Sequence, residues 1–423
     1  MIDKFLNLND LKQLISNRFL RNAGWLGMSE FANRIFRLGT TVTLARMFSQ
    51  EDYGMMAIVY TVFEFASVFT LKNGLGAKII QADESDLADI CQASYWLNWI
   101  LCLGIILIQC GFSFVIADVY NSPKLILPLC VLSSMYLLFP LFMVQGALIE
   151  RENRLKIRAL CYGVESLISN TITIILALFG FGIWSIVLAM VLSRPVWVII
   201  TWKNHHWQPP KSINFPKWKT VVTFGRNLVM VELLNKITDQ IDYLIVGKVL
   251  GLNALGIYFF AFNAGSGITM NVVNSLISAL YPHLCAVRET LEGLKYEYFS
   301  SLKKVAKFLI PLVLLQSVLA PFYVPIIFGE KWSEGIPILI LICLSVIPRA
   351  YKLSSTILLN SVDKTHISLR LDLIYTSLFV MALWIVAPYG ILWVAVTVLS
   401  FHTVMSSLFN WSAIKMVFVK DSV

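Results

Sequence analysis

Glu30, Arg34, Arg37 and Thr41 stand at i, i+4, i+7 and i+11, which places them on one face of a helix. Further along, Glu232, Lys236, Asp239 and Tyr243 repeat the arrangement, with Asp242 beside them. Guanidinium and ammonium groups so spaced can hold a phosphate, Arg through two parallel hydrogen bonds. Carboxylates on the second stripe can hold Na⁺ or a proton. The two stripes are copies. An offset of 202 carries Glu30 onto Glu232, Asn33 onto Asn235, Arg34 onto Lys236, Arg46 onto Lys248 and Gly54 onto Gly256.

Each stripe lies inside an apolar segment, and that decides its environment. A charge near the bilayer centre costs about 2.5–3.5 kcal/mol, so three facing lipid would cost about 8–10 kcal/mol. The strongly apolar residues of the first segment return only about 4 kcal/mol. The stripes therefore pair within the protein or line a wet cavity. Pairing would join Glu30 to Arg34 and Glu232 to Lys236 at helical i+4 spacing. It leaves an excess of one positive charge on the first stripe and two negative charges on the second. A cavity between two lobes would then have one cationic and one acidic wall.

Other polar residues lie in apolar segments. Arg349, next to Pro348, would add positive charge to such a cavity. Glu64, Glu165, Arg194 and Asp372 stand near enough to segment ends to reach water. Asn263, Gly265, Ser266, Gly267, Asn271 and Asn274 give one segment a small, polar face suited to close helix packing or to lining a cavity. His402 reads as a satisfied buried histidine. Seven scattered cysteines show neither CxxC nor Cys/His spacing, so neither a metal site nor a disulfide framework is expected.

Composition supports this setting. Of 423 residues, 57% are hydrophobic and 14% charged, against about 25% charged in soluble domains; mean hydropathy is +0.73. Spans of about 20 residues fall near 24–48, 55–71, 93–117, 125–147, 159–179, 183–202, 221–250, 254–281, 302–328, 335–358, 368–386 and 391–413, twelve in all. The ninth, with Pro311, Pro321 and Pro325, is expected to break. Residues 1–21 carry apolar side chains at helical spacing and read as an amphipathic helix on the membrane surface.

Of the 34 Lys and Arg residues, 25 lie on one set of segment ends and loops and 4 on the other, which places both termini inside. The net charge of +9 thus reflects topology rather than nucleic-acid binding. Outer loops such as Phe179–Ile183 are little more than turns. The polar, Pro-containing stretch 203–219 separates an N-terminal lobe, 22–202, from a C-terminal lobe, 220–423. Further matches follow at slightly larger offsets: Pro140 with Pro348 and Gly182 with Gly390 at 208, Asn153 with Asp363 at 210. The expected fold is an all-α polytopic membrane protein, with two parallel six-helix lobes related by a pseudo-twofold axis along the membrane normal.

The run Ala45-Arg46-Met47-Phe48-Ser49-Gln50-Glu51-Asp52-Tyr53-Gly54 resembles the opening of the polysaccharide exporters. These are the Wzx-type flippases of the multidrug/oligosaccharidyl-lipid/polysaccharide superfamily. Asp242-Tyr243 through Gly256-Ile257-Tyr258 resembles that family's seventh-to-eighth helix passage, and Ile327-Phe328-Gly329-Glu330-Lys331-Trp332 its loop after the ninth. The resemblance implies a MATE-like fold in a bacterial inner membrane. It also implies an undecaprenyl-diphosphate-linked oligosaccharide as substrate, moved outward by alternating access. By the same resemblance, Arg34, Arg37, Lys236 and Arg349 would contact the diphosphate. Glu30, Asn33, Glu232, Asn235, Asp239 and Asp242 would supply the polar and coupling groups. No bound cofactor is implied, only a Na⁺ or proton gradient. Membrane lipids and a polysaccharide polymerase with its assembly proteins are the implied partners.

Two rival readings stay open. A cation-coupled drug antiporter of the same superfamily would favour an acidic or aromatic cavity, which Arg34 and Arg37 oppose. A membrane glycosyltransferase or polymerase would need a sizeable outer loop or an acidic metal motif. No GxxxxGK[ST] phosphate loop occurs, so ATP hydrolysis by this chain is not expected.

Overall fold

The computed structural model describes residues 36–70, 72–209 and 216–418. Glu30, Asn33, Arg34 and the expected surface helix over 1–21 lie outside these residues. Every regular element among the described residues is helical. Helix α1 (36–47) gives way to Ser49, where a capping box starts α2 (Gln50–Phe69). Ser49 donates through its amide (3.0 Å) and hydroxyl (2.7 Å) to Asp52 Oδ2, while the Asp52 amide donates back to Ser49 Oγ at 3.1 Å. The following helices are α3 (Lys72–Gln81), α4 (Leu87–Val119), α5 (Ile126–Ser133), α6 (Phe139–Arg151), α7 (Leu155–Leu178), α8 (Trp184–Ser193), α9 (Pro195–Asn204) and α10 (Trp218–Val287). Gly251, at φ 86°, breaks α10 where two spans were expected to meet. Then come α11 (Leu291–Tyr323), a π-helical turn (Val324–Phe328), α12 (Ile336–Ser361), α13 (Thr365–Val386) and α14 (Ile391–Phe418).

Among the described residues, ten stretches are long and apolar enough to cross a membrane. Many of their apolar side chains have no protein cover: Leu107 is 75% exposed and Ile108 63%. Such surface is stable only against lipid, so this is a multi-pass membrane protein. The expected break in the ninth span is not found. Helix α11 runs through Pro311 and Pro321 and widens into its π turn only before Gly329, as membrane helices tolerate.

The packing divides into two units. One takes in residues up to Phe48 and Val59–Lys236; the other takes in Ser49–Ile58 and Ile237–Val423. Residues 218–236 of α10 thus pack with the N-terminal unit, although the polar stretch 203–219 had suggested a boundary before them. Val221 is fully buried in a cluster with Leu75, Ile79, Met143 and Val144. Gly225 lies so close to Gly74 that a Cβ there would stand 2.9 Å from its Cα. In the same unit Arg151 donates to the carbonyls of Ile79 and Ile80 at 3.1 and 2.9 Å, capping α3.

The second unit gathers the three segments of the resemblance. Tyr53 meets Trp332 edge-on at 4.7 Å, and Phe260 stacks on Trp332 at 4.3 Å. Gln50 Nε2 donates to the Lys331 carbonyl at 3.0 Å. Two backbone contacts hold α2 to the second half of α10. A Cβ on Gly54 would lie 2.0 Å from the Leu252 carbonyl oxygen, and one on Gly256 would lie 1.8 Å from that of Gln50. The offset of 202 exchanges the two contacts, so they are reciprocal.

Repeat-related turns also share their backbone. Asn153 and Asp363 both adopt positive φ, 56° and 61°, as do Gly182 and Gly390, 53° and 110°. The left-handed region is costly for most residues, which explains why Asn, Asp and Gly recur there.

Candidate functional site

Of the first stripe, Arg37 and Thr41 lie within the described residues. Arg37 is exposed on α1, and no ion pair joins it to a described carboxylate. One turn on, Thr40 is buried and donates to Asn170 Oδ1 of α7 at 2.7 Å. The Asn170 amide is itself held, donating to the Ser166 carbonyl at 2.7 Å. Polar contacts thus tie α1 to α7 through Thr40, one turn from the exposed Arg37.

Lys236 pairs with Glu64 of α2, and both side chains are about one-third exposed, 34% and 35%. The i+4 reading had joined Lys236 to Glu232 instead. Glu232 is half-buried and Asn235 exposed. Deeper in the same unit, Arg194 Nη1 lies 3.0 Å from Glu165 Oε1. Trp197 Nε1 donates to Glu165 Oε2 at 2.6 Å, and the guanidinium sits 5.2 Å over the Phe139 ring. At 13% and 16% exposure these groups do not reach open water as their positions had suggested. Pairing neutralises their charge within the bundle.

In the second unit the acidic excess of the second stripe is largely met. Arg349, 16% exposed, pairs with Asp239 at 3.5 Å and lies 5.7 Å over the Phe262 ring. Asp242 is buried at 5%, accepting from the Tyr258 hydroxyl at 2.8 Å and the Tyr243 amide at 2.9 Å. It does not face open space as a cavity wall would require. Asp239 remains 56% exposed despite its pairing with Arg349.

The sequence reading missed Lys352. Its ammonium lies 2.6 Å from Asp372 and 4.5 Å over the Tyr375 ring. Spacing held a signal for it, since Lys352 follows Arg349 at i+3 on one helix face. Beyond it, the Tyr375 hydroxyl bonds His402 Nδ1 and, at 3.3 Å, Ser406. His402 is thus a satisfied buried histidine. The repeat relates this contact to the ion pair of the first unit: an offset of 210 carries Glu165 onto Tyr375, and 208 carries Arg194 onto His402. The same helix–helix position holds a charged link in one unit and a neutral one in the other.

On the small, polar face of the eighth expected span, Gly265 is buried, and a Cβ there would lie 3.1 Å from Leu339. Gln316 donates to the carbonyls of Ala264 and Gly265 at 2.8 and 2.6 Å. At Gly265 the reading of close packing holds. Among the described residues, no three His, Cys, Asp or Glu side chains converge to hold a metal ion. All seven cysteines are free thiols.

What the arrangement can do chemically is bind anions and cations at separate places. Arg37 offers an exposed guanidinium, Asp239 an exposed carboxylate, and most other buried charges are matched inside their own unit.

A succinoglycan biosynthesis transport protein, ExoT, of Rhizobium meliloti (strain 1021) is 24% identical over 328 residues, 77% of this chain. The match spans 65% of that relative's length, so this chain covers less than two thirds of it. In fold, the chain is similar to an inward-facing multidrug resistance MATE family transporter of the MOP superfamily. The TM-score is 0.75 and the identity 13%, over 92% of this chain and 96% of that one. It is also similar to the lipid II flippase MurJ in its inward closed conformation. There the TM-score is 0.73 and the identity 14%, over 93% and 91% of the two chains. With its match over residues 43–337, the chain belongs to the polysaccharide biosynthesis protein family.

Proposed function

We propose that this protein is a flippase for a lipid-linked oligosaccharide in surface polysaccharide biosynthesis. It would work in a bacterial inner membrane with both termini in the cytoplasm. The substrate would be an undecaprenyl-diphosphate oligosaccharide, passed outward by alternating access between two six-helix lobes, twelve helices in all. The observation that carries this reading is Arg37: a guanidinium exposed on a helix of a membrane protein, with no carboxylate partner among the described residues. A charge so placed needs water or an anionic ligand, and a diphosphate is an anion that Arg recognises in bidentate fashion. Family membership and the relative named for succinoglycan transport support the glycan. The fold shared with a lipid II flippase agrees with a lipid-linked form. Arg34 would continue the cationic face, with Lys236 and Arg349 exchanging their carboxylate partners for phosphate oxygens. Asp239 would hold the coupling Na⁺ or proton, helped by Glu232 and Asn235. The Glu30 and Asn33 side chains would complete the first wall. No chemical step on the substrate is assigned to the chain, and a polymerase would act on the product.

Proteoliposomes loaded with a labelled diphospholipid oligosaccharide test this reading directly. Transport is expected for the wild type, to respond to an imposed Na⁺ or proton gradient, and to fall at least tenfold for Arg37→Ala. Equal flipping by Arg37→Ala and wild type would remove the proposed role of that guanidinium. The second reading is a cation-coupled drug antiporter, favoured by the likeness to a MATE transporter and by the exposed Asp239. Drug efflux lost in Asp239→Asn while glycan export is kept would select it.

A further inference from the structure

Inside the second unit, a groove of about 390 Å³ opens between α12 and α14. That volume is within the usual range for a small-molecule site. Pro348 lines it, and a proline inside a helix removes one backbone hydrogen bond. The groove is graded along the helices. Leu344, Ile347, Pro348 and Leu399 line the end nearer the N-termini of α12 and α14, whereas Tyr351, Thr403, Ser407 and Asn410 line the end nearer their C-termini.

The chemistry of the polar end is narrow. The hydroxyls of Thr403 and Ser407 donate to their own helix, to the carbonyls of Leu399 and Thr403, both at 2.7 Å. Asn410 Oδ1 is occupied, accepting from Tyr298 at 3.0 Å and Ser355 at 2.8 Å. What remains is the Asn410 amide NH₂ and the Tyr351 hydroxyl, two donors with no partner among the described residues. Such a site fits a ligand with acceptor oxygens on an apolar body. A polyprenyl chain, which carries no acceptor, would leave these donors unmatched.

Depth points the same way. Asn410 lies eight residues from Phe418, the end of α14, or about 12 Å along the helix. The headgroup layer takes up about 5–7 Å of that. On the next residue, Trp411 is 62% exposed, and Lys415, just over one turn nearer the helix end than Asn410, places its Nζ 5.3 Å from that ring centroid, a pairing suited to the membrane interface.

We infer that this groove holds one inner-leaflet glycerophospholipid, its ester carbonyl accepting from Asn410 and Tyr351 and its acyl chain lying over Leu344–Pro348 and Leu399. The site lies within one unit and does not depend on the transport reading. Native mass spectrometry of the protein purified in mild detergent counts the phospholipid it retains. Ile347→Trp, which fills the apolar end, is expected to lose one tightly held phospholipid. Leu392→Trp, an exposed apolar position outside the groove, should keep it. Asn410→Leu should weaken retention by about fivefold, the equivalent of one hydrogen bond. An unchanged lipid count in Ile347→Trp overturns the proposal, as does a polyprenyl phosphate in place of the phospholipid. Should Ile347→Trp not fold, a phospholipid with a photoreactive acyl chain serves on the wild type. Label on peptides containing 344–351 or 399–410 supports the site, and label confined to other helices refutes it.

Discussion

Glu165 and Arg194 show how a charge becomes tolerable at membrane depth. Trp197 and the Arg194 guanidinium hold one carboxylate, the guanidinium in turn lies over the Phe139 ring, and neither charge is left alone. Removing one member of such a buried pair strands the other and typically costs about 3–5 kcal/mol. Arg194→Met is therefore expected to lower the melting temperature in detergent sharply, and Glu165→Gln combined with Arg194→Met should recover part of the loss. The Lys236–Glu64 pair is a contrast, because both partners are about one-third exposed. Solvent screening reduces its worth to about 0–1 kcal/mol. Glu64→Gln should melt close to wild type, so a strong effect on flipping there would mark function rather than stability. Lys236 illustrates what spacing hides: Glu232 stands at i+4, yet Glu64 on another helix takes the ammonium.

At the level of elements, the crossing of α2 with the second half of α10 depends on two glycines. No side chain fits at Gly54 or Gly256, since even a methyl group would overlap a carbonyl oxygen. Gly54→Ala and Gly256→Ala are each expected to cost about 1–3 kcal/mol, as overpacking does. The two losses should be similar because the contacts are reciprocal. Gly111→Ala in α4, with nothing within 4 Å, should stabilise by about 0.5–1 kcal/mol through helix propensity. Thermal unfolding of the three variants checks the contrast. Asp86 pairs with Lys217 and so ties the turn before α4 to the start of α10. The ammonium holds the Asp86 carboxyl below its usual value. Its contribution is thus complete above the unfolded value of about 3.9 and fades as pH falls through the lower folded value. Hydrogen exchange in residues 83–87 should quicken only in that acid window, and Lys217→Ala should abolish the pH dependence. The duplicated Gly54 and Gly256 were visible in the sequence, but the carbonyls they admit were not.

Across the whole molecule, the uneven distribution of Lys and Arg sets topology before any packing occurs. A fluorescent protein fused after Val423 should fluoresce as a cytoplasmic fusion; a dark fusion with normal expression would reverse the orientation. Hydrophobic runs, positive loops and repeated turn residues are local properties. For that reason the sequence alone determined the helical class, the membrane setting, the duplication and the family resemblance. Asn153 and Asp363, like Gly182 and Gly390, could be matched by position because a left-handed turn accepts few residue types. Partner choice is not local. Arg349 with Asp239, Lys352 with Asp372 and Asp242 with Tyr258 each join separate helices or the two halves of a broken one. Nor could the sequence place residues 218–236 of α10 with the N-terminal unit, because Gly225 meets Gly74 only when the chain has folded back. Only tertiary structure decided these pairings, since a buried charge is stabilised by whichever opposite group the fold brings within a few ångströms, whatever its distance along the chain.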